Sequence, residues 1–186
     1  MANKDAAFGL KAIGKVGQNR DNQGLSEYQI AASSSAIYQN DPVEMATTGY
    51  ITVAAATDVL LGTLNGVFFT DASTSKPTYA NHLKASNTAS DIQAFVADDP
   101  YERFEVQSAG TPARTDIGAC ADIVYAAGSS PNFVSKVEIN GTTGTSTAHL
   151  KILGVSKDPD NNELGSANTN LVVTINEHFI KQAAGI

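Results

Sequence analysis

The apolar residues of this chain fall in short runs that alternate with clusters of turn-forming residues. In residues 103–107, Phe104 and Val106 alternate with polar neighbours, a period of two that predicts a strand with one buried face. Short strands that do not alternate with long helices are typical of a sandwich or a barrel. We therefore expect a mainly β protein, an antiparallel β-barrel or sandwich with at most one or two short helices. Strands are predicted over residues 27–30, 50–54, 92–97, 103–107, 133–139, 148–155 and 171–176.

The dipeptide Asn65-Gly66 is the clearest local turn signal, because apolar runs flank it on both sides. An Asn-Gly pair tolerates the positive φ angles of a type I′ turn, so residues 59–70 are predicted to form a β-hairpin. A long polar connection, residues 71–90, follows, and connections of that length often contact a partner. Residues 117–124 place apolar side chains at helical spacing, which predicts one short helix.

The start of the chain fits neither the strand period nor the helix period, since glycines separate single apolar residues there. We predict an extended N-terminal arm over residues 1–25 and a single β domain over residues 26–186. Apolar side chains of the arm would anchor on a partner and pair with it strand-like, while its basic side chains would face an acidic patch. A tail that contacts nothing is the alternative. The predicted contact residues are Phe8, Leu10, Lys11, Ile13, Lys15, Val16 and Arg20.

The charge balance excludes some classes of partner. Twelve basic and 19 acidic side chains give a formal net charge of −7, whereas nucleic-acid binding needs clustered Lys and Arg. Charged residues make up only 17%, and a surface of low charge suits contact with another protein. No run approaches the ~18 apolar residues of a membrane span, and the start lacks the apolar region of a signal peptide. We expect cytoplasmic synthesis, no nucleic acid and no membrane.

No motif in the sequence supports an enzyme or a cofactor. The histidines, His82, His149 and His178, do not stand in metal-ligand spacing. Cys120 is the single cysteine and lies among small and apolar residues, which is typical of an inert thiol. Residues 158–163 begin like a calcium loop but lack the glycine and the bidentate glutamate that such a loop needs. We expect neither a catalytic residue nor a bound metal.

Three segments, taken in order along the chain, resemble one family. Residues 7–14 (AFGLKAIG) resemble an opening in which Phe-Gly-Leu is followed by a basic residue. Residues 96–107 carry Asp-Asp-Pro followed by Phe-Glu-Val-Gln, and residues 150–178 resemble a closing pair of strands. The family is that of tailed-bacteriophage virion proteins encoded near the major capsid protein, the capsid decoration or cement proteins. Ala12 stands where this family often has proline.

The resemblance implies a protein that binds the outer surface of the major capsid protein lattice and stabilises the head, located in the virion and without a catalytic residue. The low charge and the polar connection at residues 71–90 further predict a homo-oligomer, a trimer at a local symmetry axis of the shell. Two alternatives stay open. One is another virion structural protein, such as a head–tail or tail component, and the other is a glycan- or calcium-binding β-domain.

Overall fold

The computed structural model describes residues 3–17, 24–141, 143–144 and 148–182. Across these residues the chain is mainly β, with antiparallel sheets and no closed barrel, so the predicted β class is confirmed in its sandwich-like form. The strands are β1 (Lys11–Lys15), β2 (Ser26–Gln29), β3 (Pro42–Met45), β4 (Ile51–Val53), β5 (Gly62–Thr70), β6 (Pro77–Ala80), β7 (Gln93–Ala97), β8 (Glu102–Gln107), β9 (Cys120–Ala121), β10 (Ile123–Val124), β11 (Glu138–Ile139), β12 (Leu150–Val155) and β13 (Asn170–Ile175).

One sheet has five strands in the order β1-β8-β13-β12-β9, and every neighbouring pair is antiparallel. Its edge strand β1 comes from the start of the chain and pairs with β8, which in turn separates β1 from β13. The register skips Ile13 in β1 and Leu153 in β12, so each of these strands carries a β-bulge. A bulge leaves one residue unpaired and changes the direction in which its side chain points.

The other large sheet is built from consecutive strands, β2 to β7. Its order is β2-β7-β5-β3-β4, and β6 pairs with the second half of β5. The long strand β5 therefore contacts β3, β6 and β7 and forms the centre of this six-stranded sheet. The short strands β10 and β11 form a separate two-stranded ribbon.

Each large sheet covers its own cluster of buried apolar side chains. Phe104 and Val106 of β8 lie in the cluster of the five-stranded sheet, both fully buried, as their alternation predicted. Leu64 of β5 lies in the cluster of the six-stranded sheet. Fully burying such a side chain stabilises the fold by roughly 1.5–3 kcal/mol. Leu60 and Ala97, which flank or end strands of the six-stranded sheet, belong to the first cluster and so connect the two.

The hairpin prediction at Asn65-Gly66 is wrong, because β5 runs without a turn from Gly62 to Thr70. The register shifts between Leu64 and Gly66, which makes Asn65 the extra residue of a bulge. A Cβ on Gly66 would lie 2.7 Å from Tyr79 Oη and 3.1 Å from the Ala80 carbonyl oxygen, so a side chain here would require the exposed Tyr79 ring to move and β6 to shift slightly. The Asn-Gly pair between apolar runs thus forms a bulge here. Gly66 does not have a positive φ angle, and its missing side chain allows β6 to lie close to it.

The helix predicted over residues 117–124 is also wrong, since β9 and β10 occupy that stretch. Within the described ranges, helical structure is limited to single 3-10 turns at Arg114–Asp116 and Phe179–Lys181, and no helix could cross a membrane. The polar connection at residues 71–90 is interrupted by the edge strand β6.

Candidate partner-binding surface

The backbone of the first described residues is held by two buried side-chain amides. Asn161 accepts from the Lys4 N–H at 3.1 Å and donates to the Lys4 carbonyl at 2.7 Å. Gln107 donates to the same carbonyl at 3.0 Å and accepts from the Ala6 N–H at 2.9 Å. Asn3 adds hydrogen bonds to the backbone and to Thr169. Residues 3–6 are therefore fixed on the domain.

Strand β1 continues this attachment and forms part of the five-stranded sheet. Leu10 is fully buried in the core cluster, and its N–H donates to the Asn40 carbonyl at 3.0 Å. The expectation that Leu10 contacts a partner is corrected by this burial, because the side chain is used inside the domain. Phe8 is half-buried, and its carbonyl accepts from the Asn40 side chain at 3.0 Å.

The adjacent carboxylates Asp98 and Asp99 hold the strands on either side of residues 16–25. Lys15, at the end of β1, forms an ion pair with Asp99, whose pKa is lowered by the hydrogen bond from Lys15. Asp98 accepts hydrogen bonds from Ser26 at 2.8 Å and from Tyr28 at 2.6 Å. Lys15 thus has a partner within the domain, and the turn between β7 and β8 connects both sheets.

Three of the predicted contact residues remain accessible on the surface. Ile13 is 40% exposed and Val16 is 52% exposed. The Lys11 side chain is also exposed, and its Nζ lies 4.0 Å from Glu105 Oε2. Arg20, the last predicted contact residue, lies outside the described residues.

Ile13 borders a groove of about 480 Å³ on the outer face of the five-stranded sheet. Leu153, which is 39% exposed, stands on the opposite side, on β12. The central strands β8 and β13 lie between them and contribute Arg103, Glu105 and Val172 to the groove. Both bordering side chains lie on the outer face by the alternation of their strands, since Ala12 packs against the core before Ile13 and Ile152 is buried before Leu153.

The two charges of β8 in the groove differ in their surroundings. Glu105 accepts a short hydrogen bond from the Ser156 hydroxyl and faces Lys11. Arg103 has neither a hydrogen bond nor an ion pair with any described residue, and its Nε is buried. The groove therefore combines apolar sides with a guanidinium that is available to a ligand.

Sequence reasoning missed the contribution of β12 and β13 to this surface. The alternation of β8 does place Arg103 and Glu105 opposite Phe104 and Val106, on the outer face. The alternation of β12 likewise places Leu153 on the outer face, opposite the buried Leu150 and Ile152, although its neighbours in the sheet could not be read from the sequence.

The other candidate groups have structural roles. In the segment that resembles a calcium loop, Asp158 accepts from the Asp160 N–H and from the Asn170 side chain, while Asn161 holds Lys4. In the described part of the chain, no group of three or more His, Cys, Asp or Glu could hold a metal ion. Burial lowers the pKa of His178, whose Nδ1 accepts from the Ile180 N–H at 3.1 Å.

A second cavity, of about 330 Å³, lies between β1, β5 and β8. Its lining includes Glu102, which is 4% exposed and accepts from the Gly14 N–H at 3.1 Å. Burial raises the pKa of this carboxyl group. Because Glu102 bonds to the bulged part of β1, its role here is to hold that strand.

Comparisons with models of protein families, with curated proteins and with solved structures found no match to this chain. The class that the structure defines is therefore the fold class, a mainly β protein of two large antiparallel sheets over the described residues. Function has to be argued from the outer face of the five-stranded sheet and from the three sequence segments.

Proposed function

We propose that this chain is a tailed-bacteriophage decoration protein that binds the outer surface of the major capsid protein lattice and stabilises the head. The observation that carries the proposal is the ordered set of three segments, at residues 7–14, 96–107 and 150–178, that resemble this family. These segments contribute β1, β8, β12 and β13, which are neighbours in one sheet. The proposal assigns no catalytic residue and no cofactor.

The outer face of that sheet supports a binding role. Ile13 is exposed on β1, Val16 is exposed just after it, and Leu153 is exposed across the groove. A sheet face spreads contact over several strands, as a protein that joins capsid subunits requires. Because β1 is already ordered by pairing with β8, binding through its side chains avoids most of the ordering entropy of a free arm, about 1–2 kcal/mol per residue.

The proposed partner is the major capsid protein, and the proposed assembly is a homo-oligomer, a trimer, on the outside of the virion. Few charged residues and a surface rich in Ser, Thr and Asn support contact between copies. A head–tail or tail location is the competing proposal within the virion. A reconstruction of the parent particle distinguishes these locations, because density for this chain either repeats over the shell or is confined to the tail axis.

Binding to undecorated capsids tests the function directly. The full chain and its Ile13→Asp and Val16→Asp variants are mixed with capsids, and bound protein is measured after sedimentation. We expect the native chain to sediment with the capsids and each variant to bind at least about tenfold more weakly, because a carboxylate replaces a buried apolar contact. Val124→Asp, at a residue that is 39% exposed on the β10–β11 ribbon, serves as the matched control.

These substitutions are preferable to deleting the arm. Removing residues 2–20 would also remove Leu10 from the core and β1 from its sheet, so lost binding could reflect lost folding. Circular dichroism and thermal unfolding of each surface variant confirm that the fold is kept. If the native chain does not sediment with capsids, or if all variants bind like the native chain, the proposed function or this binding face is wrong.

A further inference from the structure

We propose that the groove on the five-stranded sheet binds an extended segment of a partner protein in which an acidic side chain lies between apolar ones, with its carboxylate on Arg103. This inference deepens the proposed function, on which it rests, by stating the chemistry of the partner segment. Ile13 and Leu153 form the sides of the groove, and its floor includes Arg103, Glu105 and Val172.

The positive charge of Arg103 in the groove favours a partner segment with an acidic side chain. Arg103 has no carboxylate or hydrogen-bond partner among the described residues, although its Nε is buried. A guanidinium that has no partner inside the domain can bind a ligand carboxylate through two parallel hydrogen bonds. Glu105 is engaged by Ser156 and Lys11. Lys157 lies at the groove as a further cation, so the groove favours an anion although the whole chain carries a net charge of −7.

The distance between β1 and β12 matches the length of a short extended segment that crosses the strands. Ile13 lies on β1 and Leu153 on β12, three strand spacings apart in the order β1-β8-β13-β12. At about 4.8 Å per spacing this is about 14 Å. In an extended chain, residues four apart are separated by about 13 Å and point to the same side. An apolar residue two positions before the acid and one two positions after it would therefore reach the two sides of the groove.

A pair of synthetic peptides tests this chemistry with the full-length protein. The probe is an acetylated and amidated peptide of sequence Gly-Val-Ser-Glu-Ser-Val-Gly, and its partner has glutamine in place of the glutamate. Binding is measured by following amide chemical shifts during titration. We expect the glutamate peptide to bind at least about tenfold more tightly than the glutamine peptide, with shifts confined to β1, β8, β12 and β13.

Variants of the groove make the assignment specific. Arg103→Gln is expected to abolish the difference between the two peptides, whereas Arg103→Lys retains part of it because the charge remains. Arg114→Gln removes an exposed arginine outside the groove and should behave like the native chain. Ile13→Ser should weaken both peptides equally, since it removes an apolar contact and leaves the cation in place. Equal binding of the two peptides, or no binding of either up to millimolar concentration, would overturn the inference.

Sedimentation with capsids separates this inference from the proposed function. If the native chain binds capsids and Arg103→Gln binds as well as Arg114→Gln, the groove is not the acidic-segment site and the function stands. If the native chain does not bind capsids but still distinguishes the peptides, the function is wrong and the groove assignment stands. If the chain instead self-associates and Arg103→Gln abolishes this, the occupant is a second copy and the proposed partner is wrong.

Discussion

The six-stranded and five-stranded sheets are assembled from the chain in different ways. Strands β2 to β7 form the first of them and follow one another without interruption between Ser26 and Ala97. The five-stranded sheet combines β1 with strands from the second half of the chain. Strands β1 and β8 are paired in space, although all the strands of the six-stranded sheet lie between them in the sequence. The core of the six-stranded sheet is therefore completed by strands that are close in sequence. The core of the five-stranded sheet also needs the N-terminal residues around β1.

This difference teaches that the N-terminal residues have two different environments. Leu10, just before β1, is buried in the core of the five-stranded sheet, while Ile13 is exposed at the bulge of β1. The stretch expected to be a binding arm is therefore also a structural strand. Experiments that separate stability from binding have to change one side chain at a time.

The largest expected effect follows from removing β1. A chain that begins after residue 17 loses Leu10 and every hydrogen bond between β1 and β8. We expect a loss in the free energy of unfolding that exceeds the about 2–5 kcal/mol of a buried leucine alone. Hydrogen exchange should accelerate strongly in β8 and β13 and much less in β5 and β7. Unchanged protection of β8 would show that the two sheets do not differ in this way.

A matched pair of substitutions sharpens the comparison. Leu10 and Leu64 are both fully buried, one in each cluster. We expect Leu10→Ala and Leu64→Ala each to lower the free energy of unfolding by about 2–5 kcal/mol, measured by urea denaturation. Hydrogen exchange should respond in the five-stranded sheet for the first and in the six-stranded sheet for the second. The same exchange pattern in both variants would mean that the clusters act as one core.

The pH dependence of stability compares two carboxyl groups, Asp41 and Asp99, whose pKa values are shifted in opposite directions. Asp41, just before β3, is fully buried, and its Oδ1 has no hydrogen-bond partner among the described residues. Burial raises the pKa of Asp41 to about 6. The folded state therefore binds this proton more tightly than the unfolded state, and the contribution of Asp41 to stability increases as the pH falls from about 7 to about 4. Asp99 has the opposite sign, because its lowered pKa makes its contribution decrease in acid.

Asp41→Asn tests this sign. As the pH is lowered from about 7 to about 4, the native chain should gain up to about 3 kcal/mol relative to the variant in the free energy of unfolding. Urea denaturation at several pH values measures the difference. A difference that stays constant over this range would show that Asp41 does not titrate between folded and unfolded states as proposed.

The smallest expected effect concerns the attachment of residues 3–6. Gln107→Ala removes two hydrogen bonds to the backbone of Lys4 and Ala6 and is expected to cost about 1–3 kcal/mol. Hydrogen exchange of the Ala6 N–H should accelerate more than that of β8. Gln93→Ala, at an exposed glutamine of β7, is the matched control and should change stability by less than about 0.5 kcal/mol. If both variants are equally stable, the attachment contributes nothing measurable.

Alternation predicted the strands well where one face is buried, as at β8 and β13. The Asn-Gly turn signal failed at residues 65–66, because the same local sequence is compatible with a bulge and with a hairpin. Alternation also gave no sign that β1 belongs to a sheet, since the strand with which β1 pairs, β8, lies about ninety residues further along the chain. Non-local pairing is invisible to a local pattern.

The candidate surface was predictable in part. The alternation of β8 indicates that Arg103 points outwards, and Ile13 was expected to contact a partner. The lack of an ion pair to Arg103 depends on the side chains of four strands together, and so does the groove between Ile13 and Leu153. Those features follow from register and bulges, which one sequence does not specify.

The order of the strands along the chain also sets the order in which the protein can form during synthesis. Strand β7 ends at Ala97 and β13 begins at Asn170, so the ribosome needs roughly 4–14 s to pass from one to the other. During that time the six-stranded sheet can assemble, while β1 waits for its neighbours. Leu60 and Ala97, whose cover comes from the later strands, remain open to solvent until then. These two side chains therefore become fully packed only after the later strands have been made.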